Sequence, residues 1–249
     1  MEFVILCLTY MVLTIAAFVV SIFVTSCYFK TTHRSKPAAL VVIAHPDDEC
    51  MFFSPCLQFL AVRNFELHCL CLTNGNYYGR GDVREIELVN SLSVFNFPRQ
   101  NIYCLNSDSF FDDPHQNWNP SSVSESVLHH IRNIQNLKIV VTFDSLGVSG
   151  HSNHCDIRRA VSNLPAEIRK KIEFYELVTC SVARKYITVL DSLFALINLF
   201  LRRTDILIVA FPWIGYKAML QHKSQLTWFR LLYIIFSKYM VINELKLIK

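Results

Sequence analysis

The chain has 249 residues, with 24 Lys and Arg against 20 Asp and Glu, and 52% of its residues are hydrophobic. That length holds one sizeable α/β domain, or a smaller domain with a membrane anchor, and excludes a string of independent domains. Nine cysteines, an odd number scattered through apolar runs such as that of Cys69 and Cys71, argue against a disulfide framework and for reduced, buried thiols.

The first predicted element is a membrane span. Residues 3–29 carry no charge, and at about 1.5 Å per residue a helix of that length exceeds the roughly 30 Å of a bilayer's hydrocarbon. A cleavable signal peptide has a shorter apolar region behind a basic start, whereas only Glu2 precedes this run. The expected organisation is a transmembrane anchor over 1–29, a basic linker over 30–37 and a domain over 38–249. Lys30, Arg34 and Lys36 follow the span and no Lys or Arg precedes it, so the positive-inside tendency places the domain in the cytoplasm. The absence of a permitted Asn-X-Ser/Thr acceptor agrees with that side of the membrane.

From residue 38 onward, short apolar runs alternate with helical patterns. Strands are expected at 38–44, 66–73, 101–105, 138–143 and 173–179, and helices at 50–62, 82–96, 121–135 and 152–163. Such alternation predicts a Rossmann-like, mostly parallel sheet with helices on both faces, because parallel strands need crossover connections. Ligands of such sheets gather at the carboxyl ends of the strands. In this sequence those ends read "HPDDE", "TNGNYYGRG", "NSDSFFDD" and "DSLGVSGHSNH".

Two of these ends carry histidines together with acids. His45, Asp48 and His154 have the types and number of ligands that a catalytic zinc takes while keeping one position open. Pro46 suits the turn between strand and helix. His151 and His154, three residues apart, face the same way on a helix or its first turn. Asp47 is then free to serve as a base toward a water on the metal. Acids at a helix start can also act only as caps and dipole partners, and Glu49 is read in that way, or as a support for the ligands.

"AHPDDE" at 44–49, "TNG" at 73–75, Arg84 followed by Glu87 and Leu88, and "TFDSLGVSGHSNH" at 142–154 together resemble the zinc-dependent de-N-acetylases of the LmbE-like (PIG-L) family. The likeness is greatest to its eukaryotic branch, which works in glycosylphosphatidylinositol (GPI) anchor synthesis, and extends over 38–249. It implies hydrolysis of the acetamide of N-acetylglucosaminyl-phosphatidylinositol in the endoplasmic reticulum membrane. It also implies zinc, or another divalent metal, on His45, Asp48 and His154, and Asp47 as general base. His151 would assist at the oxyanion, in protonated form, or at the leaving amine, and Arg84 and Asp108 would contact the sugar or inositol. Bacterial relatives usually carry His-Pro-Asp-His where this chain has "HSNH", so any orienting role of that acid must be filled differently here. A deacetylase of another N-acetylated sugar conjugate, or a catalytically silent membrane scaffold, are the alternatives.

The remaining segment, 183–249, contains "LDSLFALINLF" and "WFRLLYIIF", too short to span a bilayer. From residue 202 to the end, eight basic residues face two acids, a balance suited to an anionic leaflet or a phosphoinositide head group. These stretches read either as helices touching lipid or as core helices with an ordinary solvated face. His222 reads as a helix-surface or core histidine rather than a fourth ligand. The partners expected are the lipid-linked sugar and membrane lipid, with no nucleic acid and no obligate protein partner.

Overall fold

The computed structural model describes residues 2–27, 36–113 and 116–249, with side chains for all of these except 2–8, 26, 27, 108 and 149. Most of the expected basic linker therefore lies outside the described residues. The strands are β1 (Ala38–Ile43), β2 (Glu66–Cys71), β3 (Ile102–Cys104), β4 (Leu137–Phe143), β5 (Glu173–Leu177), β6 (Ile206–Val209) and β7 (Ile242–Leu247). The helices are α1 (Glu2–Cys27), α2 (Asp48–Met51), α3 (Ser54–Val62), α4 (Gly81–Val94), α5 (Pro120–Asn133) and α6 (Gly147–Gly150). They continue as α7 (Ser152–Ser162), α8 (Ala166–Lys171), α9 (Val182–Lys185), α10 (Ser192–Phe200), α11 (Trp213–Met219) and α12 (Trp228–Phe236).

One sheet runs in the order β3-β2-β1-β4-β5-β7-β6. The first five strands pair in parallel, and β7 enters antiparallel between β5 and β6. Every residue of β1 is buried, as a central parallel strand covered on both faces requires. Strand order reverses between β1 and β4, and this is the switch point at which open α/β sheets form a cleft. The register sets Ile43 beside Cys71 and Cys71 beside Cys104, so the turns after β1, β2 and β3 emerge together.

The expected helix at 50–62 is broken into α2 and α3 around Phe52 and Phe53, where both rings pack edge-on against Phe143. Strands β6 and β7 lie in the segment expected to hold only short helices. Their apolar runs are brief, and charged Glu244 and Lys246 interrupt the pattern of β7.

Helix α1 packs along β6, the sheet's last strand, and beside α10. Its buried face is small: Thr14, Ala17, Ser21 and Thr25, at spacings of three and four that keep one side of a helix together. Val209 N–H donates to Thr25 Oγ1 at 3.0 Å, so this helix covers an edge that would otherwise expose unpaired backbone. Among the described residues no helix is long and apolar enough to cross a membrane. The side chains of α1 are described over 9–25, fewer than the roughly 20 residues a span needs, and residues 28 and 29 of the expected span lie outside the description.

Candidate metal centre and cleft

The turn after β1 builds the first half of the site. Ala44 N–H and His45 N–H donate to Asp48 Oδ2 at 3.1 and 2.8 Å, which fixes that carboxylate beneath the strand end. Asp47 adopts φ 119°, ψ −22°, a conformation costly for any residue but glycine and of a kind that collects at functional sites. What holds it is Glu49, whose Oε2 accepts the Asp47 N–H at 2.9 Å. Glu49 in turn accepts from Ser91 Oγ at 2.5 Å and from His222 Nε2 at 2.6 Å. Glu49 and His222 are both fully buried, so this pair supports the turn rather than capping a helix. With Cys50 they form a second group of possible ligands, but the direct Glu49–His222 hydrogen bond uses the atoms an ion would need.

The turn after β4 supplies the second half. Asp144 accepts from the amides of Leu146, Gly147 and Thr179 and from the Thr179 hydroxyl, and Thr179 Oγ1 accepts the Val148 N–H at 2.8 Å. This network holds Val148 at φ 60°, a strained value for a β-branched residue. Gly147 is the position where only glycine fits, because a Cβ there would stand 2.9 Å from the Cβ of His154. His154 Nδ1–H donates to Gly147 O at 3.0 Å, which fixes the tautomer and leaves Nε2 facing the cleft. Phe143 stacks flat on the same ring, 3.8 Å between centroids.

His45, Asp48 and His154 thereby bring one ligand atom each within 4.8 Å of one another, all three buried. His154 Nε2 lies 3.3 Å from Asp48 Oδ1 yet makes no directed hydrogen bond. A buried ring nitrogen left unpaired beside a carboxylate fits a bound cation. Burial alone would raise the Asp48 pKa, but His154 and His45 hold it well below the ordinary value. His151 caps α7, its ring 4.8 Å from that of His45 and 5.0 Å from that of His154. Burial, then the neighbouring charges of His45 and His154, push its pKa down to about 4.

These groups floor a cavity of about 300 Å³ whose walls include Asp47, Tyr77, Tyr78, Arg84, Asp112 and Arg230. Burial raises the Asp47 pKa although Arg230 Nη2 stands 2.7 Å from its Oδ2 and opposes the shift. Arg84 lines this cavity. Its guanidinium donates to Gly75 O at 2.7 Å and Pro46 O at 3.0 Å, and a Cβ at Gly75 would stand 2.2 Å from it. The side chain of Asp108 lies outside the described residues.

Asp112 and Arg230 were not singled out from sequence, and Asn153 was noted only as part of the departure from the bacterial motif. Asp112 Oδ1 lies 3.2 Å from His45 Nε2, and its Oδ2 accepts from Arg84 at 3.2 Å. Asn153, at the position where the "HSNH" motif departs from bacterial relatives, stands 3.2 Å from the same His45 nitrogen. The loop after β3 thus sets an acid against His45; its sequence had signalled acids without saying which one turns inward. Arg230 comes from α12, and nothing local in its sequence marks it.

Comparisons with known proteins bear on these residues. A family model described as GlcNAc-PI de-N-acetylase (PIG-L) matches residues 40–164. The N-acetylglucosaminyl-phosphatidylinositol de-N-acetylase of Bos taurus is 40% identical over 210 residues, covering 83% of this chain and 81% of that protein. A probable N-acetylglucosaminyl-phosphatidylinositol de-N-acetylase of Dictyostelium discoideum is 33% identical, covering 86% and 94%. Among solved structures, the N,N'-diacetylchitobiose deacetylase of Pyrococcus horikoshii superposes with a TM-score of 0.62 at 14% identity, covering 90% and 88% of the two chains, a likeness of fold.

Proposed function

Because the chain belongs to the GlcNAc-PI de-N-acetylase family, we infer that it hydrolyses the acetamide of N-acetylglucosaminyl-phosphatidylinositol in GPI anchor biosynthesis. The observation that carries this reading is the convergence of His45, Asp48 and His154 within 4.8 Å on a cavity floor shared with Asp47 and His151. The three residues would hold a divalent cation, and their nitrogen and carboxylate donors suit zinc. Such an ion lowers the pKa of a water to about 7 and polarises a carbonyl oxygen.

Asp47 is the general base in this reading. Its carboxylate takes the proton of the attacking water as the new C–O bond forms, and its raised pKa suits a group that must hold that proton briefly. His151 donates a hydrogen bond to the oxygen on which charge develops. When the C–N bond breaks, its electron pair stays on the sugar nitrogen, which takes a proton from Asp47 or His151 and leaves as the amine. Arg84 and Asp108 are proposed to position the sugar or inositol.

We also propose a place for the chain: the endoplasmic reticulum membrane, single-pass through the N-terminal helix, with the domain facing the cytoplasm. The uncharged run at 3–29, the basic residues after it and the exposed apolar side chains of α10, α11 and α12 support that placement. The full-length protein in detergent, given N-acetylglucosaminyl-phosphatidylinositol, is expected to release acetate and leave a free amine detectable by mass spectrometry. An unchanged lipid under every metal condition would overturn the reading.

A further inference from the structure

Beside the metal cavity lies another, of about 510 Å³, between the loop of Gly75 to Arg80 and the segment leading into α12. Arg80, Arg84 and Arg230 line it, and no Asp or Glu does. Tyr78, Arg84 and Arg230 border both cavities, so the two form one continuous surface with the ligand triad at one end, Arg84 and Arg230 between, and Arg80 at the other.

These arginines are not spent equally on the protein. Arg230 Nη1 donates to Gln225 O and Oε1, both at 3.0 Å, while its other end faces Asp47. Arg84 is tied to Gly75, Pro46 and Asp112, yet its Nε is buried without a hydrogen-bond partner. Arg80, exposed at the start of α4, has no ion pair among the described residues. Thr227, on the cavity wall, precedes α12 without a side-chain cap, so the positive end of that helix adds to the same field. Converging guanidinium forks match the paired oxygens of a phosphate.

The far wall points to what the phosphate is attached to. Phe229 lines the cavity and continues onto the exposed apolar face of α12, where Trp228 is 74% and Ile235 53% accessible. A cationic cavity opening onto an apolar helix face suits a phosphodiester whose other substituent is a lipid, whereas a free phosphate would need no such wall.

We propose that this cavity is a phosphodiester subsite, holding the phosphate between inositol and diacylglycerol while the acetamide lies at His45, Asp48 and His154. The assignment rests on the deacetylase reading given above. It makes Arg80 a residue that recognises the phosphate and takes no part in bond breaking.

The test uses full-length protein in detergent, wild type and Arg80→Gln, on N-acetylglucosaminyl-phosphatidylinositol and on its phosphate-free counterpart, N-acetylglucosaminyl-inositol. The kcat/KM of the variant should fall about tenfold further on the phosphate-bearing substrate, the scale of one lost charge-assisted contact, with Arg80→Lys recovering part of it. Calorimetry with glycerophosphoinositol should show a similar rise in Kd. Equal losses on both substrates, or unchanged glycerophosphoinositol binding, would overturn the subsite. Inorganic phosphate binding as tightly as glycerophosphoinositol would overturn the phosphodiester assignment. If wild type releases acetate from neither substrate, the deacetylase reading fails, and the calorimetry still decides the subsite.

Discussion

Asp47 is the residue on which the chemistry and the backbone strain meet. Its φ of 119° turns the carboxylate toward the cavity, and the Glu49–His222 pair keeps the turn from relaxing. Asp47→Asn should retain bound metal, measured by atomic emission, while kcat falls by about 10²–10⁴, the range for loss of a positioned base. A variant with near-normal turnover would remove Asp47 from that role. Gly75→Ala, at φ 73° and against the Arg84 guanidinium, should raise KM through displacement of Arg84, which kinetics on the purified variant would read. At this scale the sequence was informative where the residues lie close together: His45, Asp47 and Asp48 in one motif, His151 and His154 in another. It was silent on Asp112 and Arg230, because ion pairs made across 67 or 183 residues leave no periodic trace. The roles could be read from residue types, but which acid turns inward is settled by packing.

Among the elements, the added strand β7 is held by a buried charge cluster. Lys238 faces both Asp191 and Glu244, and Arg184 pairs with the same two acids, which ties the turn before α10 and the turn before β7 into one network. Burial alone would raise the Glu244 pKa, but Lys238 leads the groups that hold it below its ordinary value of 4.5. A depressed carboxylate pKa contributes stability above the unfolded-state value that is lost as pH falls through the folded one. Thermal scans should therefore show a loss of stability on acidification below about pH 4.5, and Glu244→Gln should flatten that part of the profile. Lys238→Met leaves Arg184 as the one cation against two buried acids and should cost about 3–5 kcal/mol in denaturant unfolding. The parallel core was legible because each βα unit repeats the same alternation of apolar run and helical period. β6 and β7 were not, since four apolar residues in one and alternating charge in the other look alike in a helix, a strand or a loop. Only the sheet edge beside β5 distinguishes them.

Across the whole molecule, apolar side chains that the core leaves outside gather on α1, α10, α11 and α12, including Phe23, Phe200, Trp213 and Trp228. Exposed apolar area of this kind marks an interaction surface, and basic residues nearby suit an anionic leaflet. A full-length Trp228→Ala, Phe229→Ala double variant should float less with phosphatidylinositol-containing liposomes than wild type, while retaining hydrolysis of the phosphate-free sugar. Equal flotation would confine membrane contact to α1. The most direct test of the account as a whole is metal dependence of acetate release from N-acetylglucosaminyl-phosphatidylinositol. Chelation should abolish release, about one equivalent of zinc should restore it, and His154→Ala should neither bind that equivalent nor recover. Metal-free protein that continues to release acetate would contradict the assignment of His45, Asp48 and His154.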